Sequence, residues 1–205
     1  MAVEETDRLE RLLEGLHLAR DGKGPLLQRD YWAVIRESRL SPREGAAVVA
    51  KEFGTFAPEE LVRFEREEDV DGPLEVGEEL KVAIRMAGLC RVRVLHRDSN
   101  SITLGTVRGH PESGRITFGA YRNPAGDVVF HIRSRARSST SVRWAGFMAA
   151  GEPMQTNTWT DFIDRLAHTV GEGVVGAIHA ETMEIEDEPN DPVSMCSPTF
   201  RAVGD

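Results

Sequence analysis

Apolar residues recur at every second position over much of the segment 100–137, and this alternation constrains the fold more than any other feature. The alternation is clearest in three stretches: Ile102–Val107, Ile116–Tyr121 and Val128–Ile132. A period of two is typical of β-strands that have one face on a core and one toward water. Pro124 and Gly126, between the second and third stretches, are typical turn residues. The segment therefore predicts antiparallel hairpins.

Similar patterns predict strands nearer the N-terminus: Arg29–Glu37, Leu80–Met86 and Cys90–His96. Two short helices are predicted between the first two of these strands. The first begins at Ser41-Pro42-Arg43-Glu44, which has the N-cap serine, the proline and the glutamate of a strong helix start, and Gly54 ends it. The second is predicted over Ala57–Glu67.

A long helix is predicted from Pro153 onward, because one helical face is apolar along its length. That face contains Trp159, Phe162, Ile163, Leu166 and Val170. Gly171 and Gly173 can end this helix, or it can continue through Val174, Val175 and Ile178. The segment Val142–Ala150 before it fits either a helix or a bent strand end.

The chain divides into three parts: an N-terminal amphipathic helix in 1–24, a main domain in 25–183 and an acidic C-terminal tail in 184–205. The N-terminal helix, predicted over Glu4–Arg20, has a leucine stripe that can pack on the domain or on a partner subunit, so a homodimer is possible. A lid over a cavity is the alternative. The tail contains proline and no periodicity, which favours a surface location.

Composition indicates a globular cytoplasmic protein. No apolar run reaches the ~20 residues that a membrane span needs, and the first residues are acidic rather than typical of a signal peptide. Cys90 and Cys196 form no CxxC pair, and reduced thiols are expected. The net charge of −9 makes nucleic acid an unfavourable partner.

Charge is distributed unevenly along the chain. The segment Lys81–Arg137 has eleven Lys and Arg against three Asp and Glu, a local charge of +8, so the remainder has −17. Several of these basic residues lie opposite the apolar positions and should coat the convex face of the sheet: Lys81, Arg85, Arg91, Arg93, Arg133, Arg135 and Arg137. We expect an acidic segment near this face, either the tail at Glu184–Asp191 or a neighbouring subunit.

The order of a strand, two short helices, an antiparallel meander and a long C-terminal helix resembles the helix-grip superfamily of START domains, polyketide cyclases and birch-pollen-allergen relatives. The segment Gly105–Gly114 (GTVRGHPESG) is similar to a Gly-Thr-x-x-Gly-His-Pro-Glu-x-Gly signature of an uncharacterised bacterial and plant family. Phe118, Ser134-Arg135 and Gln155 fit the continuation of that pattern, whereas Arg115-Ile116 replaces an acidic pair. The resemblance covers about 29–170 and implies an α+β fold, with a curved antiparallel sheet gripping the long C-terminal helix.

This resemblance implies a cavity between the sheet and the helix, which would bind an apolar or amphipathic small molecule. Residues on the inward parity of the strands and on the apolar helix face are the candidate lining: Val82, Ile84, Val92, Val94, Ile102, Leu104, Ile116, Phe118, Val128, Phe130, Ile132, Ser134, Trp159, Ile163 and Leu166. The alternative is that these side chains fill the space, because protein interiors usually pack densely. The chain would then be a structural or interaction protein.

An enzyme of cyclase, dehydratase or isomerase type is a further alternative on the same scaffold. His110 and Glu112 could perform acid–base chemistry or hold a metal, although a histidine that caps or hydrogen-bonds its own turn is the favoured interpretation. His96 is in phase with an apolar face and is a weaker candidate. The sequence has no metal-binding or cofactor motif, so neither a metal nor a cofactor is predicted.

Overall fold

An eight-stranded antiparallel sheet forms the frame of the molecule. The computed structural model describes residues 2–66, 71–140 and 152–202, so the Val142–Ala150 segment lies outside the described residues. The strands are β1 (Lys23–Ile35), β2 (Val62–Arg66), β3 (Glu79–Ile84), β4 (Gly88–Arg97), β5 (Ser101–Thr106), β6 (Glu112–Arg122), β7 (Val128–Ser138) and β8 (Val174–Ile185). Their spatial order is β2-β3-β4-β5-β6-β7-β1-β8. The meander is thus continuous from β2 to β7, and β1 and β8 extend it.

Within the described residues, four α-helices and one 3₁₀ turn accompany the sheet: α1 (Ala2–Leu13), the turn at Ala19–Asp21, α2 (Pro42–Phe56), α3 (Glu152–Val170) and α4 (Pro192–Cys196). The predicted start of α2 is confirmed. The Ser41 hydroxyl accepts a hydrogen bond from the Glu44 N–H, and the Glu44 carboxylate accepts one from the Ser41 N–H at 2.9 Å. This reciprocal pair satisfies backbone donors that the first turn of a helix leaves unpaired.

The curved sheet wraps around α3, which confirms the α+β helix-grip architecture. Phe162, Ile163 and Leu166 of α3 are fully buried against concave-face residues such as Phe118 and Phe130. Each such side chain contributes about 1.5–3 kcal/mol by leaving water. The apolar face predicted for the long helix is therefore the face that holds it in the sheet.

Two predicted helical segments are strands. The helix predicted over Ala57–Glu67 is wrong because Val62–Arg66 pairs antiparallel with β3, and its burial alternates with a period of two. The continuation of α3 toward Ile178 is also wrong. Gly171 and Gly173 end the helix, Gly173 with a φ of +90°, and the chain returns as β8 beside β1. Tertiary pairing outweighed helix propensity in both places.

The N-terminal helix packs on the convex face and not over the concave one, which contradicts the lid alternative. It ends at Leu13, earlier than predicted, and Gly15 takes a φ of +75°. Leu12 and Leu13 pack against a cluster of five buried residues: Leu16, Leu18, Leu95, Val107 and Met195. Met195 belongs to α4, so the N-terminal helix and the C-terminal tail cover the same face. The boundary proposed at 24/25 falls inside β1, and the one at 183/184 falls inside β8.

Candidate functional site: a cavity between the sheet and the long helix

A cavity of about 480 Å³ separates one half of the concave face from the start of α3. This volume lies within the ~300–1,000 Å³ typical of small-molecule sites. Most of the wall is apolar and comes from β2 to β7 and α3, with residues such as Phe64, Val82, Leu104, Ile116, Met154 and Trp159. Met86, in the turn after β3, both lines the cavity and is 90% exposed, so the cavity reaches the surface at that turn. The space between the sheet and α3 is therefore not completely filled by side chains.

The residues predicted to line a cavity divide into two groups. Seven lie in its wall: Val82, Ile84, Val92, Leu104, Ile116, Ser134 and Trp159. The other eight lie in the packed core and outside that wall: Val94, Ile102, Phe118, Val128, Phe130, Ile132, Ile163 and Leu166. The reason is that α2 reaches the second group, where Phe53 lies 4.9 Å from Phe118 and 5.5 Å from Phe162 between ring centroids. Aromatic rings thus fill one end of the space and leave the other open.

Three polar side chains form a hydrogen-bonded cluster between the concave face of the sheet and α3. Arg29, which is 1% exposed, places Nη1 3.2 Å from Oε1 of Glu112. The amide nitrogen of Gln155, on the first turns of α3, donates to Oε2 of the same carboxylate. Glu112 and Gln155 both line the cavity. A hydrogen-bonded ion pair can be retained in such a buried place, whereas either charge alone would be strongly disfavoured.

The signature segment positions this carboxylate. Gly109 has a φ of +101°, a conformation that favours glycine. The hydroxyl of Thr106 accepts from the Gly114 N–H at 3.0 Å, and a Cβ at Gly114 would collide with the carbonyl oxygen of Arg135. His110 accepts a hydrogen bond at Nδ1 from the Glu112 N–H at 3.0 Å. The segment therefore forms the close turn from which Glu112 enters the cavity.

Two of the weak catalytic candidates, His110 and Glu112, line the cavity, and the third does not. Nε2 of His96 lies 3.2 Å from Oδ2 of Asp98, near the C-terminal end of β4. A register shift between Val94 and His96 breaks the alternation on which its inward placement was predicted. Burial raises the pKa of Asp98, but hydrogen bonds from the Asn100 backbone, His96 and Ser101 outweigh it and lower that pKa. His96 thus belongs to the turn and not to the cavity.

Sequence reasoning missed several wall residues and Arg29. Leu61 and Phe64 were missed because their segment was interpreted as a helix. A signal for Arg29 existed, since it has the same parity on β1 as the buried residues Tyr31 and Ala33. A charged residue in phase with an apolar face predicts a buried ion pair. Arg85, predicted on the convex face, lies in the cavity wall near its opening.

The acidic tail covers the basic convex face, which confirms the predicted proximity. Oε1 of Glu188 lies 2.8 Å from Nη2 of Arg115 and 2.7 Å from Nη1 of Arg135. Asp187 pairs with Arg137. Burial lowers the pKa of Arg115, although the adjacent carboxylate partly compensates. The tail therefore places two carboxylates against the basic face that the sequence predicted.

Two searches of the described part of the chain gave negative results. No helix in the described residues is long and apolar enough to cross a membrane. No group of three His, Cys, Asp or Glu side chains in residues 2–66, 71–140 and 152–202 is arranged to hold a metal ion.

Comparison with known proteins gave one family and several structures. Residues 26–168 match the family described as Domain of unknown function (DUF1990), and a search of curated proteins found no match. The NMR structure of KanY has a TM-score of 0.51 at 12% identity, over 74% of this chain and 100% of that chain. The structure of the di-domain ARO/CYC StfQ of the steffimycin biosynthetic pathway has a TM-score of 0.49 at 14% sequence identity, and the match covers 82% of this chain and 55% of that chain. A START superfamily protein from Mycobacterium smegmatis has a TM-score of 0.48 at 11% sequence identity, and the match covers 72% of this chain and 97% of that chain. At these identities the similarity concerns the fold alone.

Proposed function

Because the chain belongs to the DUF1990 family and has an open, mostly apolar cavity in a helix-grip fold, we propose that it binds an apolar or amphipathic small molecule there. The observation that supports this most is the volume of about 480 Å³ left between the sheet and α3. A packed interior leaves few voids larger than a water molecule. An apolar ligand would gain free energy from covering the exposed wall.

Binding without turnover fits the polar groups better than catalysis does. The Glu112 carboxylate already accepts from Arg29 and Gln155. The Nδ1 atom of His110 lies 3.0 Å from the Glu112 backbone nitrogen and 3.1 Å from the Glu112 carbonyl oxygen, so this ring nitrogen is engaged within its own turn. A carboxylate in a buried ion pair loses that pair when it takes up a proton, which disfavours its use as a general base. The cyclase, dehydratase or isomerase alternative thus gains no support from these two residues.

Titration with N-phenyl-1-naphthylamine, a neutral probe that fluoresces in apolar surroundings, tests the proposal. We expect saturable binding with a dissociation constant on the order of 10 μM, from the affinity per atom of ligands of this size. Saturable binding by the wild-type protein supports the proposal, and its absence contradicts it.

Two tryptophan substitutions on β3 make this test specific to the cavity. Ile84 lines the cavity, whereas its neighbour Ala83 has the opposite parity and is absent from the wall. Ile84→Trp should weaken probe binding at least about tenfold by occupying the space, and Ala83→Trp should change it by less than about twofold. Equal effects of the two substitutions would place the probe elsewhere and contradict the proposal.

A further inference from the structure

Three residues of the cavity wall have a buried side-chain atom with no hydrogen-bond partner in the part of the chain that the structure describes. One of these atoms is Nε of Arg115, whose guanidinium turns away to Glu188 of the tail on the convex face, so two atoms remain. They are Oγ of Ser134, a residue that is 5% exposed, and Oε1 of Gln155. Both residues line the cavity, one from β7 and one from α3. Buried polar groups in folded proteins are nearly always paired, so each such atom needs an explanation. A group supplied by a ligand is the explanation that also accounts for the empty space beside them.

The orientation of Gln155 is fixed by its neighbours. Its amide nitrogen faces Oε2 of Glu112, because the carbonyl oxygen of the same amide would be repelled by a carboxylate. Glu112 is in turn held by the buried Arg29. The carbonyl oxygen of Gln155 is therefore left as an acceptor, and only a group with a hydrogen to donate can satisfy it.

The Ser134 hydroxyl can donate and accept, so it adds a donor to the same cavity. A neutral alcohol or phenol matches this pair of groups, because a hydroxyl both donates and accepts. A carboxylate cannot donate to Gln155 and would approach the Glu112 carboxylate. An ether or a plain hydrocarbon would leave the Gln155 acceptor unpaired.

We propose, on the basis of the binding function above, that the cavity selects apolar molecules with a hydroxyl group, which Gln155 and Ser134 recognise. The discrimination is of the kind seen when a site is built to pair a substrate hydroxyl and is left unsatisfied by the analogue without it. The proposal names a ligand class, the neutral alcohols and phenols, and two residues that determine specificity.

Competition with three naphthalene derivatives of similar size tests it, using displacement of N-phenyl-1-naphthylamine as the readout. 2-Naphthol has a donor, 2-methoxynaphthalene has only an acceptor, and 2-naphthoate is an anion. We expect 2-naphthol to bind about tenfold more tightly than 2-methoxynaphthalene, and more tightly than 2-naphthoate. Equal affinities for the three compounds would overturn the selectivity while the binding function stands. Failure of every compound, the fluorescent probe included, would overturn both.

Two variants assign the preference to the named residues. Ser134→Ala and Gln155→Met should each reduce the preference for 2-naphthol over 2-methoxynaphthalene from about tenfold to within about threefold, while the affinity for 2-methoxynaphthalene stays the same. Ser113→Ala is the matched control, because Ser113 is a buried serine of the same sheet that bonds His17 on the other face. A preference retained in both cavity variants, or lost in Ser113→Ala, would overturn the assignment. Ser134→Ala keeps the test valid if Gln155→Met fails to fold, since it removes an atom with no partner.

Discussion

Polar side chains on the two faces of the sheet differ in how completely they are hydrogen-bonded. On the convex face, Asp30 accepts from His131 at 2.6 Å, from Arg133 at 2.5 Å and from Gln28 at 2.9 Å. The concave face has the Arg29–Glu112 pair, but Ser134 and Gln155 beside it each keep an unpartnered atom. The Asp30 carboxylate on the convex face is thus paired with several donors, whereas Ser134 and Gln155 at the cavity each have an atom without a partner in the described residues.

The spaces beside the two faces differ in the same way. On the convex face, Nε of Arg115 has no hydrogen-bond partner in the described part of the chain, and the void between this side chain and the tail is only about 40 Å³. A void of that size has room for water and not for an organic ligand. The cavity on the concave face is about 480 Å³. An unsatisfied atom is therefore informative about ligand binding only where there is also room for a ligand.

Removing the Glu112 carboxylate should have the largest effect on stability. We expect Glu112→Ala to lower the free energy of unfolding by about 3 kcal/mol, because it leaves the buried Arg29 guanidinium without this carboxylate. Urea denaturation measures the loss. Removing both charges in Arg29→Met/Glu112→Leu should recover most of it. A loss below about 1 kcal/mol in the single variant would show that Arg29 does not depend on this pair.

The hydrogen-bonded Asp30 should produce a pH-dependent effect on the convex face. Burial alone raises the pKa of Asp30, but hydrogen bonds from His131 and Arg133 outweigh burial and lower that pKa in the folded state. A lowered folded pKa stabilises the protein above the unfolded pKa of about 3.9, and this stability is lost as pH falls through the folded value.

Asp30→Asn should therefore cost about 2 kcal/mol at neutral pH, and the difference from wild type should shrink below about pH 4. Urea denaturation of both proteins between neutral pH and about pH 3 measures that difference. A difference that stays constant over this range would show that the charge of Asp30 is not what its partners stabilise.

Loss of the tail carboxylate that joins Arg115 and Arg135 should have a smaller effect. Glu188→Ala should cost about 1.5 kcal/mol, because two charge-assisted hydrogen bonds are lost from a mostly buried acceptor. Asp187→Ala is the matched control, since the Asp187 side chain is 80% exposed and its pair should contribute less than about 0.5 kcal/mol. Neither change should alter binding of the fluorescent probe. Weaker binding in Glu188→Ala would show that the two faces are coupled.

The sequence predicted which strand residues face inward better than it predicted where the space between the sheet and the helices stays open. Val92 and Val94 have the same parity on β4, and the period of two correctly predicts that both face inward. Val92 lines the cavity and Val94 lies in the packed core outside its wall. The alternation cannot separate them, because what lies above each position depends on how far α2 and α3 extend over the sheet. The sheet face on which a strand residue lies follows from the local sequence, whereas the occupation of the space above that residue depends on how the helices pack on the sheet.

The placement of the tail was predictable for a different reason. The +8 segment and the acidic remainder attract each other, and their contact lowers the repulsion among the like charges within each of them. Glu188 and Asp187 make this contact with arginines of β6 and β7. The strand β8 was missed because Val174 to Ile178 fits a helical face as well as a strand. Its pairing with β1 is a contact between distant parts of the chain, which no local pattern shows.

A pair of buried serines gives the smallest and most direct test of the difference between the faces. The Ser113 hydroxyl on the convex face bonds Nδ1 of His17 at 3.0 Å, whereas the Ser134 hydroxyl on the concave face has no partner among the residues that the structure describes. Removing a hydroxyl that is paired costs about 1 kcal/mol, and removing one that is unpaired relieves a desolvation penalty. We therefore expect Ser113→Ala to lower the free energy of unfolding by about 1 kcal/mol and Ser134→Ala to change it by less than about 0.5 kcal/mol. Urea denaturation without ligand measures both. Equal losses would mean that water already pairs Ser134, and the distinction between a satisfied face and an available face would then fail at this residue.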